Sequence, residues 1–175
     1  MWEIIRGKGI GEDNMKALTL YEPWATLVAM GEKKIETRSW ATSYRGPLAI
    51  HAAASMPKWV RDLCPKFAKI LKIKDYNGSW LYYLEHGTGP FGKVVATCEL
   101  VACLPIRTKD ELNEIAYADM GENWYVIDRN EYHFGDYTPD RYAWILKNIK
   151  PLPEPIPAKG MQRIWNWNKE GWCEG

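Results

Sequence analysis

The chain has few of the residues on which most recognisable active sites depend. Its four cysteines are widely spaced, and none forms the C-x-x-C pair typical of a zinc site. Its three histidines show no metal-binding spacing. The sequence also has no glycine-rich phosphate loop, no G-x-S-x-G elbow and no H-E-x-x-H pattern. We therefore predict a protein that binds no metal and no cofactor, with its cysteines reduced.

Long apolar runs and a strong net charge are also missing. No run approaches the roughly 18 apolar residues of a membrane span, and no signal peptide is visible, which predicts a cytoplasmic protein without membrane contact. The net charge of +1 implies no overall attraction to nucleic acid. The charges are nevertheless uneven. Residues 58–74 carry six lysines and arginines against one acid, and residues 108–140 carry nine acids against two cations. The first segment is either a local basic surface or an ordinary solvated helix face.

What the chain has in abundance is tryptophan and tyrosine. Ten of each stand against three phenylalanines. Both residues suit a hydrophobic core, and both also suit stacking on nucleic-acid bases. The length of 175 residues is enough for one domain with a substantial core. Because residues 1–14 are glycine-rich and weakly periodic, we predict an N-terminal extension there and a single domain over 15–175.

Short strands alternate with helices along this domain. Apolar alternation predicts strands over 16–20, 35–40, 47–52, 92–104, 124–127 and 142–149. Helices are predicted from the Thr19-x-x-Glu22 pattern to Gly31, over 57–74 with a break near Cys64, over 80–85, and from Thr108 onwards. This order lacks the regular crossovers of a doubly wound sheet. It predicts an α+β fold, a mixed β-barrel with peripheral helices.

One stretch, residues 22–53, concentrates charged and aromatic side chains. It contains Gly31, Lys33, Glu36 and Arg38 in the spacing Gly-x-Lys-x-x-Glu-x-Arg, with Pro23-Trp24-Ala25 before it and Tyr44-Arg45-Gly46-Pro47 after it. In these motifs the chain resembles the ASCH domain (activating signal cointegrator homology), a member of the PUA-like group. The resemblance covers roughly residues 15–167 and is strongest over 17–53.

This resemblance implies a PUA-like barrel and a function in nucleic-acid binding. Some ASCH-like proteins are amidohydrolases that act on acylated cytidine, and others have been proposed to be ribonucleases. In the amidohydrolase branch the signature has a threonine three residues after the lysine. Here that position is Glu36, so the nucleophile of that branch is missing.

The signature residues also suggest a site on physical grounds. Glu36, Arg38 and Trp40 alternate by two along a predicted strand, so they share one face. Glu36 and Arg38 form a natural ion pair, which is equally compatible with a purely structural clamp. Trp40 is the better stacking residue, and Lys33 lies at a helix–strand junction from which its side chain can reach over the strand ends.

Further residues are candidates for the same pocket. Arg45 precedes the next strand. His51 follows an apolar run, which favours a structural histidine over a base, and we include it among the nucleic-acid contacts. Glu99 lies on the polar side of the long strand, from which it would approach from across the barrel. Asp136 and Tyr137 fit a turn before a strand, with a place at the border of the pocket as the alternative, and Trp24 is expected in the core.

We therefore predict binding of single-stranded RNA or a modified nucleotide, through Lys33, Arg38, Trp40, Arg45 and His51. The alternative is a hydrolase with Lys33, Glu36 and Glu99 as catalytic residues, in which Lys33 stabilises negative charge and a glutamate handles the proton. A protein-interaction adaptor is a third possibility. The choice between RNA and DNA, and the oligomeric state, stay open at this point.

Overall fold

The structure, a computed structural model, describes residues 14–70 and 89–168. Its strands are β1 Asn14–Leu20, β2 Ile35–Arg38, β3 Gly46–Ala52, β4 Lys93–Asp110, β5 Ile115–Asp119, β6 Trp124–Ile127, β7 Tyr142–Pro157 and β8 Ile164–Asn168. Its helices are α1 Trp24–Ala29, α2 Lys58–Arg61, α3 Cys64–Ile70 and α4 Arg129–Tyr132. The α+β class is confirmed.

The eight described strands form one sheet, in the order β2-β7-β4-β3-β1-β8. Only β1 and β3 run parallel; the other pairs are antiparallel. The far half of β4 also pairs with β5, which pairs with β6. The prediction of a closed barrel is wrong for the described strands. Within residues 14–70 and 89–168, β2 pairs only with β7 and β8 only with β1, so the two ends of the pairing path do not meet.

The centre of the sheet is built from short apolar strands. Leu18 of β1, Leu48 of β3 and Leu100 of β4 pack in one core with Trp144 and Leu146 of β7. The predicted alternation of β4 is present over 96–100, where positions 96, 98 and 100 are buried and position 99 is exposed, whereas positions 94–96 are all buried. Helix α1 adds Ala25 and Val28 to the same core and ends at Ala29; Gly31 follows its C-cap, and its φ of +76° suits that position.

Two helix predictions have opposite outcomes. The break near Cys64 is confirmed, because α2 ends at Arg61 and α3 begins at Cys64. The helix expected from Thr108 is wrong. Strand β4 continues to Asp110, whose carboxylate accepts a hydrogen bond from the Asn113 amide at 3.0 Å and forms the turn into β5. The expected helix over 80–85 and nearly all of the expected extension over 1–14 lie outside the described residues.

Candidate functional site

A cavity of about 1110 Å³ opens between the two ends of the sheet. Strand β2 contributes one wall, and the segment that leads into β8 contributes another. We call it the signature cleft, because Glu36 and Arg38 of the sequence signature lie in it. It is lined by residues 19–21, Trp24, residues 36–38, Trp40, His51, residues 53–54, Trp59, Leu63, Lys66, Phe67, residues 133–136, Arg141 and residues 158–163.

Glu36 and Arg38 form the ion pair expected from their spacing. Arg38 Nε lies 3.2 Å from Glu36 Oε1. The same guanidinium also contacts β1, because Nη2 donates a hydrogen bond to the Thr19 carbonyl at 3.0 Å. Arg38 therefore joins β2 to β1 where no strand pairing does, and its side chain remains partly exposed to the cleft.

Lys33 is not among the residues that line the cleft. Its side chain is 1% exposed, and the ammonium donates a hydrogen bond to the Ile35 carbonyl. The same nitrogen lies 3.6 Å from Glu36 Oε2 and 3.7 Å from Glu131 Oε1. The lysine thus lies beneath the cleft, between two carboxylates, where it holds the loop after α1 to β2 and α4.

Glu131 is a buried member of this network that we did not predict. Its carboxylate accepts hydrogen bonds from the Lys34 and Ile35 amides at 2.8 and 3.1 Å, and from the Tyr137 hydroxyl at 3.4 Å. Burial raises the pKa of Glu131, while the nearby Lys33 charge and the amide hydrogen bonds oppose that rise. A local signal existed, because Asp128-x-x-Glu131 has the spacing of a capping box and Asp128 does cap α4.

Cationic side chains are more numerous in the cleft than acidic ones. Of the residues that the structure describes, five cations line it, namely Arg38, Lys66, Arg141, Lys159 and Arg163, against Glu36 and Asp136. The excess is local, since the whole chain has a net charge of only +1. Of these cations only Arg38 was a predicted site residue, and Lys66 belongs to the basic segment noted in the sequence. The cleft is therefore a region of positive potential on an almost neutral protein.

Aromatic rings form two groups in the cleft. Trp40 packs edge-on against the buried Trp144, with ring centroids 4.7 Å apart, and Arg163 Cζ lies 5.4 Å from the centre of its ring. In the second group Trp24, which we expected in the core, is half-buried, and its Nε1 donates a hydrogen bond to the Phe134 carbonyl at 2.8 Å. Trp59 leans on Trp24 at 6.1 Å but is itself 59% exposed.

His51 lines the cleft but is 1% exposed. Its Nε2 lies 3.0 Å from the Ala158 carbonyl, and its Nδ1 has no hydrogen-bond partner among the described residues. Burial lowers the pKa of His51, which favours the neutral ring with the proton on Nε2. Gly160 lies directly against it. A Cβ at that position would come within 2.4 Å of His51 Cε1, so only glycine allows this approach.

The remaining predicted residues lie apart from this group. Glu99 is exposed and accepts a hydrogen bond from Asn148 Nδ2 at 2.9 Å, and Arg45 donates to the Thr42 and Tyr44 carbonyls. Neither lines the cleft. The bulges where β4 pairs with β7 place Glu99 opposite Lys147, away from β2. Asp136 lines the cleft, whereas Tyr137 is buried beneath it.

Glu22, next to the cleft residue Tyr21, is fully buried and accepts hydrogen bonds from the Thr26 amide and hydroxyl at 3.1 and 3.0 Å. Burial raises its pKa from 4.5 to about 7. The folded state therefore holds this proton more tightly than the unfolded chain does. The contribution of Glu22 to stability is complete below pH 4.5 and is lost as the pH rises through about 7.

Replacing Glu22 with glutamine should remove this pH dependence. We expect the stability difference between Glu22→Gln and the unmodified chain to move in favour of the variant by about 3 kcal/mol between pH 4.5 and 7. Urea unfolding of both proteins at several pH values measures it. Both proteins keep His51, whose lowered pKa destabilises the folded state as the pH falls, so the contribution of His51 cancels in the difference. A constant difference across this range would contradict the raised pKa.

Among residues 14–70 and 89–168, no group of three His, Cys, Asp or Glu side chains is placed to hold a metal ion. No helix in these ranges is both long and apolar enough to cross a membrane.

The comparisons with known proteins agree on one family. The ASCH domain family model matches residues 18–155. The chain is similar to human Activating signal cointegrator 1, with 27% identity over 157 residues that cover 89% of this chain and 22% of the relative. The mouse protein of that name is 26% identical over the same shares of both chains. This chain therefore spans about a fifth of the length of the curated relatives it matches.

Proposed function

The chain belongs to the ASCH domain family, and from this premise we propose that it binds single-stranded RNA, or a modified nucleotide, in the signature cleft. One observation carries the proposal. Among the described residues, five cationic side chains and the rings of Trp24, Trp40 and Trp59 line the same cavity, on a chain with almost no net charge. Cations that follow a phosphate backbone and rings that stack on bases are the two elements of single-strand recognition.

The cavity is large enough for one nucleotide and part of a second, since small-molecule sites measure about 300–1,000 Å³. In this binding mode Lys66, Lys159 and Arg163 meet phosphate oxygens. The exposed face of the Trp59 ring stacks on a base. The Trp40 ring packs against the Arg163 guanidinium and holds it in place. Glu36 and Arg38 form the floor, where a carboxylate and a guanidinium meet the hydrogen-bonding edge of a base.

The hydrolase alternative has less support from the geometry. Of its three proposed catalytic residues only Glu36 lines the cleft, while Lys33 is buried below it and Glu99 lies outside. The carboxylate of Glu36 is also held by Arg38 and Lys33 at 3.2 and 3.6 Å. Incubation with acylated cytidine and with single-stranded RNA, followed by chromatography, tests this alternative. Turnover that disappears in Glu36→Gln would favour the hydrolase over simple binding.

Binding should weaken with salt in proportion to the number of phosphates neutralised. If three to five cations take part, a plot of log affinity against log salt should have a slope of about −2 to −3.5 for single strands. Fluorescence anisotropy with a labelled single-stranded RNA, between about 50 and 200 mM salt, measures this slope. Single-stranded DNA and duplex RNA, run in parallel, define the preferred nucleic acid.

A double variant links that slope to the cleft. Lys66→Ala with Lys159→Ala should reduce its magnitude by about 1.4, because each lost phosphate contact removes about 0.7. The matched control is Lys147→Ala with Lys150→Ala, two exposed lysines of β7 outside the cleft, which should leave the slope unchanged. Equal effects of the two double variants would mean that RNA does not bind in the cleft, and no binding at low salt would refute the proposal.

A further inference from the structure

A second surface of the molecule is built for contact but lies apart from the signature cleft. It is the outward face of the small sheet formed by the end of β4 with β5 and β6. The inner face of this sheet places Ala116, Ala118 and Ile127 in a buried cluster. On the outer face, where an antiparallel sheet normally carries polar residues, Tyr117 pairs with Val126, and Trp124 lies beside them.

These apolar side chains are open to solvent. Trp124 is 57% exposed and Val126 is 55% exposed. The Trp124 ring meets Tyr117 edge-on at a centroid distance of 6.5 Å, and these two rings with Thr108 line a shallow cavity of about 250 Å³. None of them contributes to the signature cleft. An exposed apolar patch that is surrounded by polar residues often marks a protein interaction site.

The strand that carries this patch also has an open edge. Among the described residues β6 pairs only with β5. The Met120 amide bonds to the Asn123 carbonyl at 3.0 Å, and antiparallel pairing alternates from there, so Asn123, Tyr125 and Ile127 face β5. The backbone N–H and C=O groups of Trp124 and Val126 therefore point to the open edge. The strand has no proline or lysine, which natural proteins use to protect such edges.

The charged residues around this edge indicate which kind of partner could bind there. Residues 110–128, which contain β5 and β6, carry six acids and no lysine or arginine, and the exposed Glu122 and Asp128 flank β6 at its two ends. Pairing of β6 with a second copy of itself would bring these carboxylates together. An extended basic segment meets opposite charge instead. We propose that β6 binds a lysine- or arginine-rich peptide segment of a partner protein by strand addition, with Trp124 and Tyr117 receiving one of its apolar side chains.

The test uses a nine-residue fluorescent peptide, KVKTVTKVK, with EVETVTEVE as the matched acidic control. Anisotropy with the whole chain should show binding of the basic peptide alone. Val126→Pro removes an outward N–H without touching the β5 ladder and should weaken binding about tenfold or more, whereas Val126→Thr keeps that N–H and should stay within a few-fold of the unmodified chain. Trp124→Ala should weaken binding by about thirtyfold. Glu122→Lys, in the exposed turn before β6, should also weaken binding.

Leu112→Ser provides the surface control. Leu112 is 91% exposed in the turn between β4 and β5, and its loss should leave peptide binding unchanged. Thermal melting confirms that each variant is folded, and Glu122→Lys provides a test that leaves the strand itself intact. The proposal is overturned if Val126→Pro binds like Val126→Thr, or if the acidic peptide binds as well as the basic one. Dimerisation that Val126→Pro abolishes would also overturn it, since the occupant would then be a second copy.

Discussion

Replacing Lys33 with methionine should destabilise the protein by about 3–5 kcal/mol. Methionine preserves most of the volume, so the loss reflects charge rather than a cavity. The substitution leaves Glu36 and Glu131 buried near each other without the ammonium that lies 3.6 and 3.7 Å from them. It also leaves the Ile35 carbonyl without its lysine donor. Urea unfolding at neutral pH measures the change.

The neighbouring residue provides a matched control. Lys34 is exposed, and only its backbone amide contacts Glu131, so Lys34→Ala should change the stability by about 0.5 kcal/mol or less. A double-mutant cycle of Lys33→Met with Glu131→Gln should show a coupling of about 1–3 kcal/mol, because neutralising one carboxylate relieves part of the uncompensated charge. If Lys33→Met is no more harmful than Lys34→Ala, the buried network contributes nothing to folding.

Lys33 also shows where reasoning from the sequence stops. The pattern places a lysine at the end of a helix and the start of a strand, and the structure agrees on both elements. The sequence pattern does not reveal whether the Lys33 side chain points to solvent or to the interior. That direction depends on Glu131, which follows almost a hundred residues later and reaches β2 through the packing of α4.

Local alternation was more informative for β2 and β4. The period of two places Glu36 and Arg38 on one face, and they are paired at 3.2 Å in the structure. The same rule applied to Glu99 gives its exposed side but not its position in the sheet. Its place opposite Lys147 depends on bulges in the pairing of β4 with β7, which no local pattern predicts. The open sheet was missed for the same reason, because closure depends on contacts between distant strands.

The exposed position of Trp59 could not be predicted from the sequence, for a different reason. It lies in the amphipathic pattern of residues 57–74, where an aromatic residue on the apolar face is normally a core residue. The break between α2 and α3 separates it from that face, and the ring ends on the rim of the cleft beside Tyr21. In the proposed binding mode Trp59 therefore takes the stacking role that the sequence suggested for Trp40.

Trp59→Ala should weaken binding of single-stranded RNA by roughly 1–3 kcal/mol, about five- to 150-fold, because the free face of its ring is the stacking surface of the proposed binding mode. Its stability should change by about 1 kcal/mol or less, since the ring is 59% exposed. Trp40→Ala should lower both affinity and stability, because that ring packs against Trp144 at 4.7 Å. Anisotropy and thermal melting separate the two effects.

Trp124→Ala is the matched control for Trp59→Ala, because it removes an equally exposed tryptophan, at 57%, from outside the cleft. It should leave RNA affinity unchanged, since its ring lies among acidic residues on the β6 surface that repel phosphate. The two variants should therefore separate the surfaces, with RNA binding lost only in Trp59→Ala and basic-peptide binding lost only in Trp124→Ala. If both variants weaken RNA binding equally, exposed aromatic area rather than the signature cleft determines affinity, and the proposed site is wrong.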